Sequence, residues 1–253
     1  MTIKHPTQED LPQLRQLWKE AFGDSDAFLD LFFATGFHPQ RCLGLWEDNR
    51  LASAIYWFHC TLNGHPVAYL YALATDRAFR GRGLAHRLMA HLHGHLTQQG
   101  YTAALLVPGT EALSGLYKEM GYAFCGGIRE FSRTAAGTAV PLRSVTPEEY
   151  ARLRRQYLPE NSVVQEGENL RFLAAQAALY AGDGFLMAAK KENNTLFALE
   201  MLGSTAAASQ IIQALNCDRG IFRTPGTQRP FAMFHPLGSN TPAPADYFAF
   251  AFD

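Results

Sequence analysis

The sequence predicts an α/β (α+β) chain, a mixed and mostly antiparallel sheet flanked by helices. Three observations predict it. Residues 67–75 form an apolar run of strand length, followed by a short basic turn with Gly81 and Gly83, and then by Leu84, Leu88, Leu92 and Leu96 at helical spacing. Ahead of that run, residues 41–46 and 51–62 read as strands joined at Asp48-Asn49. Asn63-Gly64 turns the second strand back into 67–75, because type I′ turns need positive φ at both central positions. The second half again alternates helical and strand patterns.

With 253 residues the chain holds one large or two modest domains. Apolar residues at 47% and charged residues at 18% supply a real core, and a net charge of −1 argues against a general nucleic-acid binder. No apolar run reaches membrane-spanning length, and the first residues do not read as a signal peptide. Cys42, Cys60, Cys125 and Cys217 lie far apart with no Cys-x-x-Cys pair, so reduced thiols in a cytoplasmic protein are expected.

In order, residues 2–5 read as a short strand and Thr7 as a helix N-cap, with Glu9 and Asp10 in the first turn. Leu11, Leu14, Leu17, Trp18 and Ala21 continue that helix and Gly23 stops it. A second helix is expected over 26–35, rich in Phe. After the basic turn and its helix come a strand at 102–107, a helix through Leu116 and Tyr117, and a strand at 122–132. Residues 135–140 are small and weakly patterned, and Pro141 follows, so the domains are expected as 1–135 and 136–253. In the second half, helices are expected from Pro147, over 168–181 and over 206–215. Strands are expected at 185–189, 195–202, 220–223, 231–236 and 247–252.

The strand, basic glycine turn and helix make a phosphate-binding arrangement. The first N–H groups of a helix lack internal partners, and the dipole places partial positive charge there. Gly81 and Gly83 open backbone geometries closed to other residues, and Arg77, Arg80 and Arg82 add charge. A P-loop is excluded, since no Lys follows the glycines. A dinucleotide fingerprint fails at His86. His91 and His95 are one turn apart but gain no further ligand at suitable spacing, so a polar helix face and no metal are expected.

What fits is Arg80-x-x-Gly83-x-Ala85, which resembles the pyrophosphate loop of the GNAT acyltransferases, Gln/Arg-x-x-Gly-x-Gly/Ala. Leu116-Tyr117-Lys118-Glu119-Met120-Gly121-Tyr122 resembles the family's Leu-Tyr-x-x-x-Gly-Phe/Tyr segment. The second half is similar to the degenerate GNAT-like module of tandem acyltransferases, including those of the enhanced-intracellular-survival type. The resemblance implies acetyl-CoA as cosubstrate, no metal, and transfer of its acetyl group to the primary amine of an acceptor, small molecule or peptide. It places Arg80, Gly81, Arg82, Gly83, Leu84 and Ala85 on the pyrophosphate and Leu73, Ala74 and Thr75 on the pantetheine. Ser114 stands where many relatives carry an Asn that contacts the cosubstrate. Expected partners are the acceptor and a second copy of the chain, with no nucleic acid and no membrane.

Tyr117 matches the family tyrosine beside the thioester sulfur, as proton donor to the leaving thiolate or, alternatively, as a packing residue. The aromatic stretch 28–33 either lines the acceptor cleft or packs the core. Residues 67–75 contain no carboxylate, which leaves His59, Asp24, Asp26, a water relay or a group of the second half as base. In the enhanced-intracellular-survival type the terminal carboxylate reaches the acetylation site. By that resemblance Asp253 is either a catalytic group or a solvated terminus. Two other classes fit the loop by itself: a non-catalytic acyl-CoA-binding regulator, and a protein using the loop for ATP or NAD.

Overall fold

In the structure, a computed structural model that describes residues 1–248, Asn63 and Gly64 take φ values of +52° and +80°, and Asp48 and Asn49 take +48° and +62°. Both left-handed pairs close tight hairpins, as their residue types require. They join β2 (Cys42–Glu47), β3 (Arg50–Leu62) and β4 (His65–Thr75) into an antiparallel meander. The chain divides into two compact units, Met1–Ala123 with Met233–Pro242, and Phe124–Ala232 with Ala243–Asp253.

In the first unit β1 (Thr2–Lys4) pairs with β2, followed by α1 (Leu11–Phe22) and α2 (Asp26–Thr35). Thr7 does not cap α1 directly. It precedes a 3-10 turn at Gln8–Asp10, where the Asp10 carboxylate accepts from the Thr7 N–H (2.8 Å) and hydroxyl (3.0 Å). Gly23, at φ +77°, ends α1. After β4 come α3 (Leu84–Gln98), β5 (Ala103–Leu106) and α4 (Glu111–Glu119). Leu84, Leu88, Met89, Leu92 and Leu96 bury the inner face of α3 against Ile55, Trp57, Ala68, Leu70 and Ala104. The helix thus carries the crossover that sets β5 parallel to β4, beside the antiparallel meander of β2, β3 and β4.

In the second unit, β6 (Ala123–Thr134), β7 (Arg143–Ser144), α5 (Pro147–Tyr157), β8 (Val163–Val164), α6 (Glu168–Ala174), β9 (Ala178–Gly182), β10 (Phe185–Glu192), β11 (Thr195–Gly203), α7 (Ala208–Ala214) and β12 (Arg219–Pro225) follow. Strand order is β6-β12-β11-β10-β9-β7. Short strand, two helices, three-stranded meander, helix and parallel strand repeat the first unit's order, with β11 and β12 taking the roles of β4 and β5. The helix expected over 168–181 stops at Ala174, because Ala178–Gly182 pairs instead with β10 through an Asp183-Gly184 turn with Gly184 at φ +74°. Pairing along a whole strand overrides the helix propensity of an alanine-rich stretch.

The single boundary expected after residue 135 gives way to an exchange of strands. β6 pairs with β12 inside the second unit, whereas β13 (Arg229–Pro236) sends Met233–Pro236 to pair with β5 inside the first. Of the closing strand expected at 247–252, Tyr247 makes an isolated bridge to Ser162, and residues 249–253, Asp253 among them, lie outside the described residues. Among the described residues no helix is long and apolar enough to cross a membrane.

The returning segment is fastened within the first unit by Leu237 N–H to Thr102 O (2.9 Å) and Thr97 Oγ1 to Leu237 O (3.1 Å). His235 stacks on His93 at 4.2 Å, and His93 Nε2 lies 2.8 Å from the Tyr122 hydroxyl. Burial first, and the neighbouring His235 second, hold the His93 imidazole down at about 4, against an ordinary 6.5. A depressed imidazole binds fewer protons folded than unfolded, so its contribution is complete above 6.5 and is lost as pH falls toward 4. Acid titration is expected to cost roughly 2 kcal/mol through this residue, allowing for a partly solvated ring. Melting temperatures of parent and His93→Gln, compared from pH 7 to 4, check this: the variant should show the shallower acid decline.

Candidate active site

β4 carries the geometry on which the site is built. Opposite β3 its register shifts between Ala54↔Ala74 and Tyr56↔Tyr71, so one extra residue bulges out, and Ala72 takes φ +52°. A left-handed alanine costs energy that only a packed surrounding maintains, and bulges beside sites re-aim backbone groups. Pairing with β5 runs only from Val67↔Ala103 to Tyr69↔Leu105, while β4 continues to Thr75. Beyond Tyr69 the parallel strands part, with Leu73, Ala74 and Thr75 on the continuing arm. That arm is pinned from β3 by the fully buried Ser53, whose hydroxyl donates to Ala74 O (2.7 Å) and meets Thr75 Oγ1 at 3.0 Å.

The basic turn follows at once. Asp76 Oδ1 accepts from Ala78 N–H (2.8 Å), closing a 3-10 turn at Arg77–Phe79, and Arg80 Nε donates back to Thr75 O (2.9 Å). Gly81 and Gly83 take φ +75° and +70°, and a Cβ on either would meet nothing within 4 Å. The left-handed backbone, not crowding, requires glycine here, and the space above it stays open. Gly83 is the N-cap of α3, and the first helical bond runs from Arg87 N–H to Gly83 O. The N–H groups of Leu84, Ala85 and His86 therefore lack helical acceptors, and no acidic residue occupies the first turn. Arg80, Gly81, Arg82 and Gly83 are exposed. A helix end with unpaired N–H groups and no carboxylate in its first turn suits an anion. Arg82 places its guanidinium on Glu47 of β2.

α4 starts at Thr110, whose hydroxyl accepts from Leu113 N–H (3.3 Å), and it buries Ser114 and Tyr117 one turn apart on its inner face. The Tyr117 ring lies 6.0 Å from that of Tyr122, and burial pushes its phenol up to about 12. At that value Tyr117 keeps its proton across the neutral range.

The base candidates separate. Asp24 accepts from Trp18 Nε1 (2.8 Å), and the exposed Asp26 pairs with Lys19 (2.9 Å) and Arg15 (3.8 Å). His59 sits opposite Ala68 and near Tyr101, which precedes β5, so it lies at the opposite end of the strands from the loop. The aromatic stretch divides: Leu29 and Phe32 are core, while Phe28 and Phe33 are half-buried. Trp18 and Phe32 pack at 5.6 and 5.9 Å against Tyr71, the residue before the bulge. Sequence reasoning missed both Tyr71 and Glu47. Tyr71 is hidden inside a continuous apolar run, and Glu47 ends its strand with no local pattern that ties it to the loop.

In the second unit the corresponding place is filled. Glu200 lies two residues past Ala198↔Phe222, the last parallel pair, as Tyr71 lies two past Tyr69↔Leu105. Arg154 is the eighth residue of α5, as Trp18 is of α1. Glu200, fully buried, accepts from Arg154 Nε (2.8 Å) and Nη2 (2.9 Å), Tyr150 (3.1 Å) and Tyr247 (3.0 Å). An ion pair with two tyrosines replaces the aromatic contact of the first unit.

Residues 2–125 match the family model of the acetyltransferase (GNAT) domain. No curated protein matches the chain. Solved structures similar in fold include a GCN5-related N-acetyltransferase from Kribbella flavida, at 16% identity and a TM-score of 0.72 over 93% of this chain and 72% of that one. Eis1 from Mycobacterium abscessus aligns at 12% identity and 0.66 over 93% and 73%. A putative acetyltransferase from Pyrococcus horikoshii aligns at 12% and 0.63 over 99% and 94%. The family match over the loop-bearing half and a fold shared along nearly the whole length agree with the repeated element order described above. This chain therefore carries, over residues 2–125, an acetyltransferase domain of the GNAT family.

Proposed function

We propose that the protein is an N-acetyltransferase that moves the acetyl group of acetyl-CoA to a primary amine by direct attack in a ternary complex. The observation that carries this reading is the open N-terminus of α3, reached through two left-handed glycines at the point where β4 leaves β5. The N–H groups of Leu84 and Ala85 and the Arg80 head hold the pyrophosphate. The arm from Leu73 to Thr75 pairs with the pantetheine, and backbone N–H groups at the bulge polarise the thioester carbonyl. The amine nitrogen forms the new bond to the carbonyl carbon as the carbon–sulfur bond breaks. Tyr117 gives its proton to the leaving thiolate, and the proton lost by the amine passes to water or a base.

Calorimetric titration with CoA, ATP and NAD tests the ligand, and an amine panel with acetyl-CoA tests turnover. The parent is expected to bind CoA in preference to the nucleotides. Arg80→Ala removes a phosphate-pairing cation, while Gly83→Glu and Ala85→Glu put a carboxylate where the backbone faces pyrophosphate. Each is expected to weaken CoA binding, the two carboxylates by about tenfold or more. Three variants that bind as tightly as the parent reject the loop assignment. CoA binding without turnover across the panel makes the protein a CoA-binding regulator.

A further inference from the structure

We infer that Glu47 is a positioning residue for the loop between β4 and α3, acting through Arg82; the inference rests on the reading of that loop as the CoA site. Arg82 lies between two glycines with positive φ, in a stretch that belongs to neither strand nor helix. Such a link has little intrinsic conformational restraint, and a paired side chain can hold it. Its guanidinium meets the Glu47 carboxylate fork to fork, Nη1 to Oε2 at 2.7 Å and Nη2 to Oε1 at 2.7 Å. Two parallel charge-assisted bonds fix orientation as well as distance. The same guanidinium lies 5.5 Å above the buried Phe79 ring. Arg50 covers that ring at 5.1 Å and approaches Asp76, the residue that caps the Arg77–Phe79 turn, at 3.8 Å.

The loop is thus anchored at both ends. At its start Asp76 and the Arg80 bond to Thr75 O tie it to the end of β4. At its finish Arg82 ties it to the end of β2, two strands away in the sheet. The Glu47 side chain is only one-fifth exposed, and the Arg82 guanidinium holds its carboxyl below the usual carboxylate range. Among the described residues Arg82 alone of the loop's three arginines pairs with a carboxylate, so it adds little net charge to the phosphate site. Its work is to hold Gly81 and Gly83 in the left-handed geometry that exposes the first N–H groups of α3.

The two possible roles of Glu47 predict opposite signs. A carboxylate that merely sits near a phosphate site repels the ligand, so Glu47→Gln would tighten CoA binding. A carboxylate that positions the loop makes the same substitution weaken it, although the site becomes more positive. Calorimetric Kd values for CoA, KM and kcat for acetyl-CoA, and amide hydrogen exchange over residues 76–86 of the ligand-free protein are measured for the parent, Glu47→Gln, Arg82→Gln and the exchange Glu47→Arg with Arg82→Glu. We expect Kd and KM to rise about fivefold to tenfold in each single variant, with kcat within about twofold of the parent and faster exchange in the loop. The charge exchange should recover part of the affinity and of the protection. Glu47→Gln binding as tightly as the parent or tighter, or a charge exchange no better than the weaker single variant, overturns the inference while leaving the CoA site standing. A parent that does not bind CoA overturns the reading of the site, whereas unchanged loop protection in Glu47→Gln overturns the positioning role whatever the ligand is.

Discussion

Tyr117→Phe is expected to lower kcat about a hundredfold while leaving CoA affinity and folding near the parent's. General acid catalysis is typically worth about 10²–10⁴-fold, and the hydroxyl is the one group removed. The ring stays, so the packing of α4 against Tyr122 survives. Loss at the transition state with binding preserved is the signature of a group that acts only as the thiolate forms. The raised phenol adds a second expectation. With its proton held to about 12, Tyr117 should produce no fall in parental kcat as pH rises through 8 to 10. Any alkaline loss in that range belongs to another group. Single-turnover rates, in which product release plays no part, are the measurement. An unchanged single-turnover rate in Tyr117→Phe leaves the residue a packing role alone.

Glu200→Ala is expected to destabilise the second unit by about 3–5 kcal/mol, because it removes the buried carboxylate that a guanidinium and two phenols share. In a chain of this size that corresponds to a fall in melting temperature on the order of 10 °C. The pair differs from the exposed ion pairs of α1 and α2, such as Lys19 with Asp26, which water screens and whose substitution should leave stability near the parent's. Removing both charges together, as Arg154→Met with Glu200→Leu, should recover much of the loss, since apolar replacements of a buried pair are often neutral. Denaturant unfolding followed by far-UV circular dichroism reads both effects. Glu200→Ala with parental stability, or a double variant less stable than the single one, would show that the carboxylate is not the centre of that core.

Most of the first unit is legible in the sequence because its signals are local. Asn63-Gly64 announces a hairpin through the φ values those residues tolerate, and the leucines of α3 declare a buried face through their spacing. The Asp183-Gly184 turn carries the same kind of signal. The alanine-rich stretch before it, however, has helical propensity, and its pairing with β10 decides the outcome. The bulge at Ala72 has no such signal, since alanine does not prefer positive φ and holds it only under the packing of its neighbours.

By itself, then, the sequence determined the strand–loop–helix at Thr75 to Leu84, the meander that leads into it, and the likeness of that half to an acyltransferase domain. Only the tertiary structure decided that β6 serves the second unit while Met233–Pro236 serves the first, that Arg82 answers to Glu47, and that Arg154 and Glu200 occupy the place of Trp18 and Tyr71. The physical reason is range. Turn chemistry and helical period act within a few residues, so their outcome is written where they occur. A strand's period of two fits many partners equally well, and the choice among segments separated by more than a hundred residues, as Ala103 and Pro236 are, is made by the packing of the whole sheet.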